Sequence, residues 1–279
     1  SIRYPGPENV TRFKGFLLDK YREKAMDIII CLDNPALDML LDHRSALFPD
    51  IPVVFAGIGD FDPDSLANHR RITGVLEMAD FTGTIETALS FHPKTKRVLV
   101  VSDQTPSAIA ARREVEAQMH RFEDRLDFSF LPPSTFHEAA EAIRSLPPDS
   151  ITLLLPFNLD IEGSRVSPFE STRLLTEGVS VPAYGHTDTR LGHGIVGGRL
   201  LGGRDHGRRA ADYVIRILSG EDPDAIPIDS TGTARPMFDY AQLRRFSISL
   251  KALPPGSIVI GKPVSILESH RDLAFIALA

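Results

Sequence analysis

The 279-residue chain has one cysteine, Cys31, which rules out an internal disulfide. Cys31 sits in an apolar strand pattern at residues 28–32, where a buried structural thiol is expected. A lone thiol assigns no redox compartment. Positive charge is also scarce. The chain has 31 Lys and Arg against 37 Asp and Glu, a net charge of −6, with a pI near 5.8. This balance argues against nucleic acid as the main partner. Long apolar runs are missing too: residues 273–279 form the apolar C-terminal stretch, and a bilayer span needs about 20 residues. No signal peptide, short repeat or low-complexity segment is visible, and both ends read as those of a fragment of a longer protein.

Legible catalytic and cofactor motifs are also lacking. There is no G-x-S-x-G nucleophile elbow. Asp60-Phe61-Asp62-Pro63-Asp64 begins like a calcium loop, but Ser65 stands where glycine is required. Arg71 occupies the place of the bidentate glutamate. Residues 192–197, GHGIVG, match G-x-G-x-x-G literally. A polar turn precedes them, and no helix is expected until about Asp205, so no helix N-terminus is placed to receive a pyrophosphate. Gly57-Ile58-Gly59 follows a strand, but Asp62 holds the third glycine position. His186, Asp188 and His193 fit no metal-ligand spacing. No cofactor and no metal is expected, and the domain reads as a non-enzyme.

What is present is alternation of strands and helices, with 42% apolar residues to build a core. A helix is expected over 10–24, with Phe13, Phe16, Leu17 and Tyr21 on one side. Strands follow at 27–32, 51–56 and 72–76, with helices at 36–47 and 82–91. A second series places strands at 98–102, 128–131 and 151–155, separated by helices opening at Pro106 and Phe136. A helix at 166–177 leads to the stretch 179–220, which organises the chain. That stretch holds a short strand, eight glycines between Gly185 and Gly207, and an amphipathic helix from about Asp205. The spacing of Ala210, Ala211, Val214, Ile215, Ile217 and Leu218 predicts its buried face. Continuous apolar strands alternating with helices imply an α/β architecture, with parallel sheets covered on both faces. Crossings between two lobes are expected near 92–96, 192–198 and 222–228. This puts 1–92 and 193–223 in a first lobe, and 93–192 and 224–265 in a second.

Ligands in such sheets bind at the carboxyl ends of strands. The expected tips carry Asp33, Asp60, Glu77, Asp103 and Asp188. Each aspartate alone suits a helix cap, but together they would suit amines, hydroxyls or other donor-rich ligands. The candidate ligand-binding residues are Asp33, Asn34, Glu77, Asp103, Gln104, Phe157, Tyr184 and Asp188. The acids would accept hydrogen bonds, and Phe157 and Tyr184 would supply flat apolar walls.

Seven segments carry a family resemblance through their order and spacing: DIIICLDNPALDMLLDHRSALFPDIPVVFAGIGDF, ITGVLE, RVLVVSDQTPS, LPPDSITLLLPF, VPAYGHTDTRLGHGIVGGRLL, MFDYAQLRRFSI and LPPGSIVIGKPVS. The chain resembles the extracytoplasmic sensor domains of bacterial receptor histidine kinases and diguanylate cyclases, which are related to ABC-transporter substrate-binding proteins. The resemblance implies a two-lobed periplasmic-binding-protein type I fold closing on a small molecule. It also implies a strand and helix missing ahead of Arg3-Tyr4-Pro5-Gly6. Residues 266–279 would be a juxtamembrane segment leading to a membrane helix, and the domain would be the periplasmic part of an inner-membrane protein. Such receptors often work as homodimers, though no interface is legible. The family commonly has Asn where Gly59 stands. Two rival functions are a substrate-binding protein for an ABC importer and a hydrolase using the cleft carboxylates.

Overall fold

Two sheets, parallel but for one strand pair, form around strands whose successive side chains enter opposite cores, as the two-residue period of a strand requires. They belong to a computed structural model, which describes residues 7–263. Residues 3–6, 266–279 and the apolar run at 273–279 therefore lie outside the described residues. Among the described residues no helix is long and apolar enough to cross a membrane.

The first sheet has the order β1 (Ile29–Leu32), β2 (Val53–Ile58), β3 (Ile72–Leu76). Its registers align Ile29 with Val53 and Val53 with Ile72. Val53, Phe55 and Ile58 face a core shared with Leu37 and Leu40 of α2 (Asn34–Leu47). Val54 and Ala56 face the other side, against Ala210 and Ile217 of α7 (Gly203–Leu218). An N-terminal helix, α1 (Pro7–Tyr21), lies beside α2. Cys31 is buried here, and burial pushes its thiol up to about 11, so it is held unreactive.

The second sheet is built on β4 (Arg97–Val101), flanked by β5 (Asp127–Phe130) and β6 (Ser150–Leu154). Beyond β6 come β7 (Ala183–Gly185), β8 (Gly197–Leu200), β9 (Arg235–Asp239) and β10 (Ile258–Ile260). All pairs are parallel except β8 with β9. Val98, Val100, Ile151 and Leu153 pack under α3 (Phe81–Phe91) and α4 (Pro106–Met119). Leu99, Val101 and Leu154 face α5 (Phe136–Arg144) and α6 (Pro168–Thr176). A short helix, α8 (Tyr240–Arg245), follows β9.

The cores divide the chain differently from the sequence-based boundaries. Phe81, Ile85 and Ala88 of α3 lie in the core of the larger sheet, so the chain crosses at about 77–81 rather than at 92–96. The glycine-rich stretch is β8 and the turn before it, inside the larger sheet, and the crossing falls at Gly202. Ile226 packs with the smaller sheet and Asp229 bridges to Val75, so the third crossing follows Asp229.

The glycines of β8 answer to close packing. A Cβ on Gly197 would lie 2.1 Å from the Met237 carbonyl oxygen, and one on Gly198 would lie 2.7 Å from that of Gly185. Both residues have positive φ, a conformation that favours glycine. The predicted face of α7 is also narrower than expected. Ala210 and Ile217 are buried, whereas Ala211, Ile215 and Leu218 are exposed, because a three-stranded sheet covers only one stripe of a helix.

Candidate functional site

The carboxyl ends of β1, β2 and β3 meet the amino end of α4 across a narrow cleft. The sequence sets this up through local breaks. Asp33 ends β1 and caps α2, its carboxylate accepting from the Asn34 N–H. It does so at φ 75°, ψ 151°. Asp60, after β2, also has a left-handed φ of 48°. Such strained non-glycine residues concentrate at ligand sites and switch regions.

Direct bonds join the lobes here. Asp60 donates its N–H to Glu114 Oε1 at 3.1 Å, and Arg113 pairs with the Asp60 carboxylate at 2.9 Å. Ser107 Oγ donates to Asp33 Oδ1 at 3.4 Å. On the first lobe, Asn34 bonds both ways to the Gly59 backbone, at 2.7 and 3.2 Å. The Gly57 N–H donates to His206 Nε2 at 2.7 Å, which fixes His206 as a neutral acceptor there. Burial, the main cause, holds the His206 pKa below its usual value.

These contacts enclose a cavity of about 60 Å³. Asp33, Asn34, Gly59 and Glu77 line it from one lobe, and Ser107, Glu114 and His186 from the other. Ligand pockets usually hold about 300–1,000 Å³, so the lobes are drawn together and a whole ligand would need them to part. Burial, then repulsion from Asp33, raises the Glu77 pKa. Burial pushes Glu114 up to about 7, with Glu77 and Asp60 adding to the rise against two backbone hydrogen bonds. His186 is 5% exposed, and its Nδ1 has no hydrogen-bond partner. Burial and the nearby Arg190 push it down to about 3, so it is a neutral imidazole.

Three of the eight sequence candidates, Asp33, Asn34 and Glu77, line this cavity, and the other five do not. Asp103 is buried and saturated, accepting from the Thr105 N–H and hydroxyl and from the Asn158 and Leu159 N–H groups. Gln104 is exposed beside it. Asp188 opens a turn at the lobe crossing, its N–H donating to the Leu201 carbonyl. The expected aromatic walls are core residues instead. Phe157 stacks edge-on with Phe136, and Tyr184 is buried with its hydroxyl 3.0 Å from His92. Glu114, Ser107 and His186 were not among the candidates. The readable signal was the helical spacing of Ser107, Ala110, Ala111 and Glu114, a small-residue face ending in an acid.

A larger open concavity of about 790 Å³ includes Arg44, Arg70 and Asp224 in its lining. It lies at the amino ends of β2 and β3, opposite the ends where α/β sheets bind ligands. The cleft is therefore the stronger site despite its size.

No protein-family model and no curated protein matches the chain. Solved structures do. An ABC domain in complex with L-Trp from Streptococcus pneumonia shares 16% identity, with a TM-score of 0.64 over 90% of this chain and 84% of that one. A conserved domain protein from Vibrio cholerae gives 15% identity and 0.64 over 91% and 84%. A ligand-free, open substrate-binding protein with adhesive properties from Clostridium difficile gives 14% and 0.63 over 91% and 83%. The fold is that of the two-lobed periplasmic binding proteins. At these identities the likeness establishes architecture, and function has to come from the site. In this two-lobed frame the cavity occupies the cleft between the lobes.

Proposed function

We propose that this chain is a small-molecule-binding domain that reports its ligand by lobe closure, as the extracytoplasmic sensor of a membrane receptor. The observation that carries this reading is the cavity at the strand tips, lined from both lobes, where Asp60, Glu114, Arg113, Asp33 and Ser107 bond across the gap. The L-Trp complex of one structural neighbour supports a small-molecule ligand. A ligand shifts the lobes only through its differential affinity for closed over open. In the receptor, closure would carry the C-terminal segment toward or away from the first lobe and so reach the membrane.

Thermal unfolding against a panel of amino acids, amines, sugars, nucleosides and carboxylates tests the binding. A ligand at about 100 times its Kd adds about 2.7 kcal/mol. Small-angle scattering with and without the hit tests the closure. An unchanged lobe angle would overturn the sensor mechanism, and ligand consumed on incubation would overturn the non-enzymatic reading. The second reading is substrate delivery to an importer, favoured by the neighbour described as a substrate-binding protein. The full-length gene product separates the two: an output module beyond a membrane helix belongs to a sensor.

A further inference from the structure

We propose that the cleft selects small organic cations lacking a carboxylate, with Glu114 and Glu77 as their inner partners, Asp33 at the rim, and the neutral His186 ring accepting an N–H bond. The inference rests on the reading of the cleft as the ligand site and names the class of ligand.

The charge around the cavity is one-sided. Three carboxylates line it, and among the described residues no Lys or Arg does. Nearby, Arg113 pairs with Asp60. Nor do the acids form a metal cage: among the described residues no three His, Cys, Asp or Glu are grouped to hold a metal ion. The first turn of α4, at the rim, would welcome an anion, since Thr105 gives it no side-chain cap. Asp33 already sits against it, bonded to Ser107. An amino acid's carboxylate would therefore enter among acids, with no Lys or Arg on the lining to receive it.

His186 supplies the independent observation. It lines the cavity, is more than nine-tenths buried, and its Nδ1 is unpartnered. The neutral imidazole keeps unused acceptor capacity, and an N–H donor entering the cavity would use it. The volume of about 60 Å³ suits an ammonium or amidinium head rather than an entire ligand.

The charged groups facing Glu114 are Asp60 and Glu77, with Arg113 tied to Asp60, and Asp33 and neutral His186 across the cavity. Burial and the two acids keep Glu114 protonated up to about pH 7. A cation binding beside it drives that proton off.

The test is calorimetric titration of the intact domain with putrescine, agmatine, tryptamine, L-tryptophan and indole-3-propionate at pH 6 and pH 8. The expected result is binding by one or more of the three amines, with L-tryptophan and indole-3-propionate at least about tenfold weaker. Amine affinity should rise about tenfold from pH 6 to pH 8, following ionisation of a group titrating near 7. Proton release should appear as a heat that varies with buffer. Glu114→Gln, checked for unchanged folding by circular dichroism, should abolish both the pH dependence and the proton release. Glu77→Gln should weaken binding at both pH values. Preferred binding of L-tryptophan or of the acid overturns the cation class and leaves the cleft as a ligand site. Amine binding that Glu114→Gln leaves unchanged overturns the assignment of partners. Binding of none of the five overturns this inference, and the wider thermal panel then decides the cleft reading separately.

Discussion

In the larger sheet, the edge strand β5 runs Asp127, Phe128, Ser129, Phe130. Its polar residues are exposed, and the Arg112 guanidinium lies 4.3 Å over the Phe130 ring. In the smaller sheet, the edge strand β1 runs Ile29, Ile30, Cys31, Leu32, with Ile30 53% and Leu32 62% exposed. Among the described residues β1 pairs with β2 alone. One edge alternates apolar in and polar out, a pattern that discourages pairing with another chain. The other offers apolar side chains on its outer face. The exposed Ile215 and Leu218 of α7 repeat the contrast, since three strands bury less of a covering helix than seven do. The two lobes share one strand–helix grammar but differ in how completely it hides apolar surface. The cleft between them has one wall in each.

The largest expected difference lies in core truncations. Leu153→Ala, between two covered faces of the larger sheet, should cost about 4 kcal/mol. Leu37→Ala, on the helix α2 that covers one face of the smaller sheet, should cost about 2 kcal/mol, because that site can relax more easily. Urea unfolding followed by circular dichroism measures both, and equal losses would erase the comparison. Amide exchange on the unmodified chain sharpens it: β1 should exchange well before β4 and β6, which lie inside the larger sheet.

Much of this contrast was legible in the sequence. Asp33, Asn34 and Glu77 follow apolar strand runs directly, so punctuation alone placed them at the tips. Phe157 and Tyr184 also stand at strand ends, but periodicity does not say which neighbour a side chain meets. Tyr184 turns into the core because His92, at the far end of α3, takes its hydroxyl. Glu114 was hidden for the opposite reason. An acid in the middle of ARREVEAQM reads as solvent-facing until the first lobe closes over it. The face of α7 and the lobe crossings failed because both depend on the width of each sheet, a tertiary quantity that no local window contains.

The next effect in size is a pH dependence set where the lobes meet. The Glu114 pKa is about 7 in the folded domain, against an ordinary 4.5. The folded state therefore binds this proton more tightly than the unfolded state. Stability from this group is fully present below about pH 4.5 and is lost as pH rises toward 7, by about 1–3 kcal/mol. Glu77 shifts in the same direction, chiefly through burial. Chemical unfolding at pH 5 and pH 7.5 should show a smaller decline in Glu114→Gln than in the native chain. A native chain whose stability rises over that range, with Glu114→Gln behaving identically, would remove Glu114 from the account.

The smallest expected effect bears on the bare edge itself. Replacing Ile30 and Leu32 together by Thr puts β-branched residues that favour a strand at both positions and removes apolar surface already in contact with water. Little burial is lost, so the melting temperature should hold within the change that about 0.5 kcal/mol produces. Association is where the substitution should act. An apolar edge strand with unpaired backbone groups is a template for another chain, and the hydroxyls make its desolvation less favourable. Light scattering at rising concentration should show the native domain self-associating before the double variant. A loss of stability well above 1 kcal/mol would mean that these side chains are covered in solution. The edge would then be a buried seam, and the contrast between the two sheets would close.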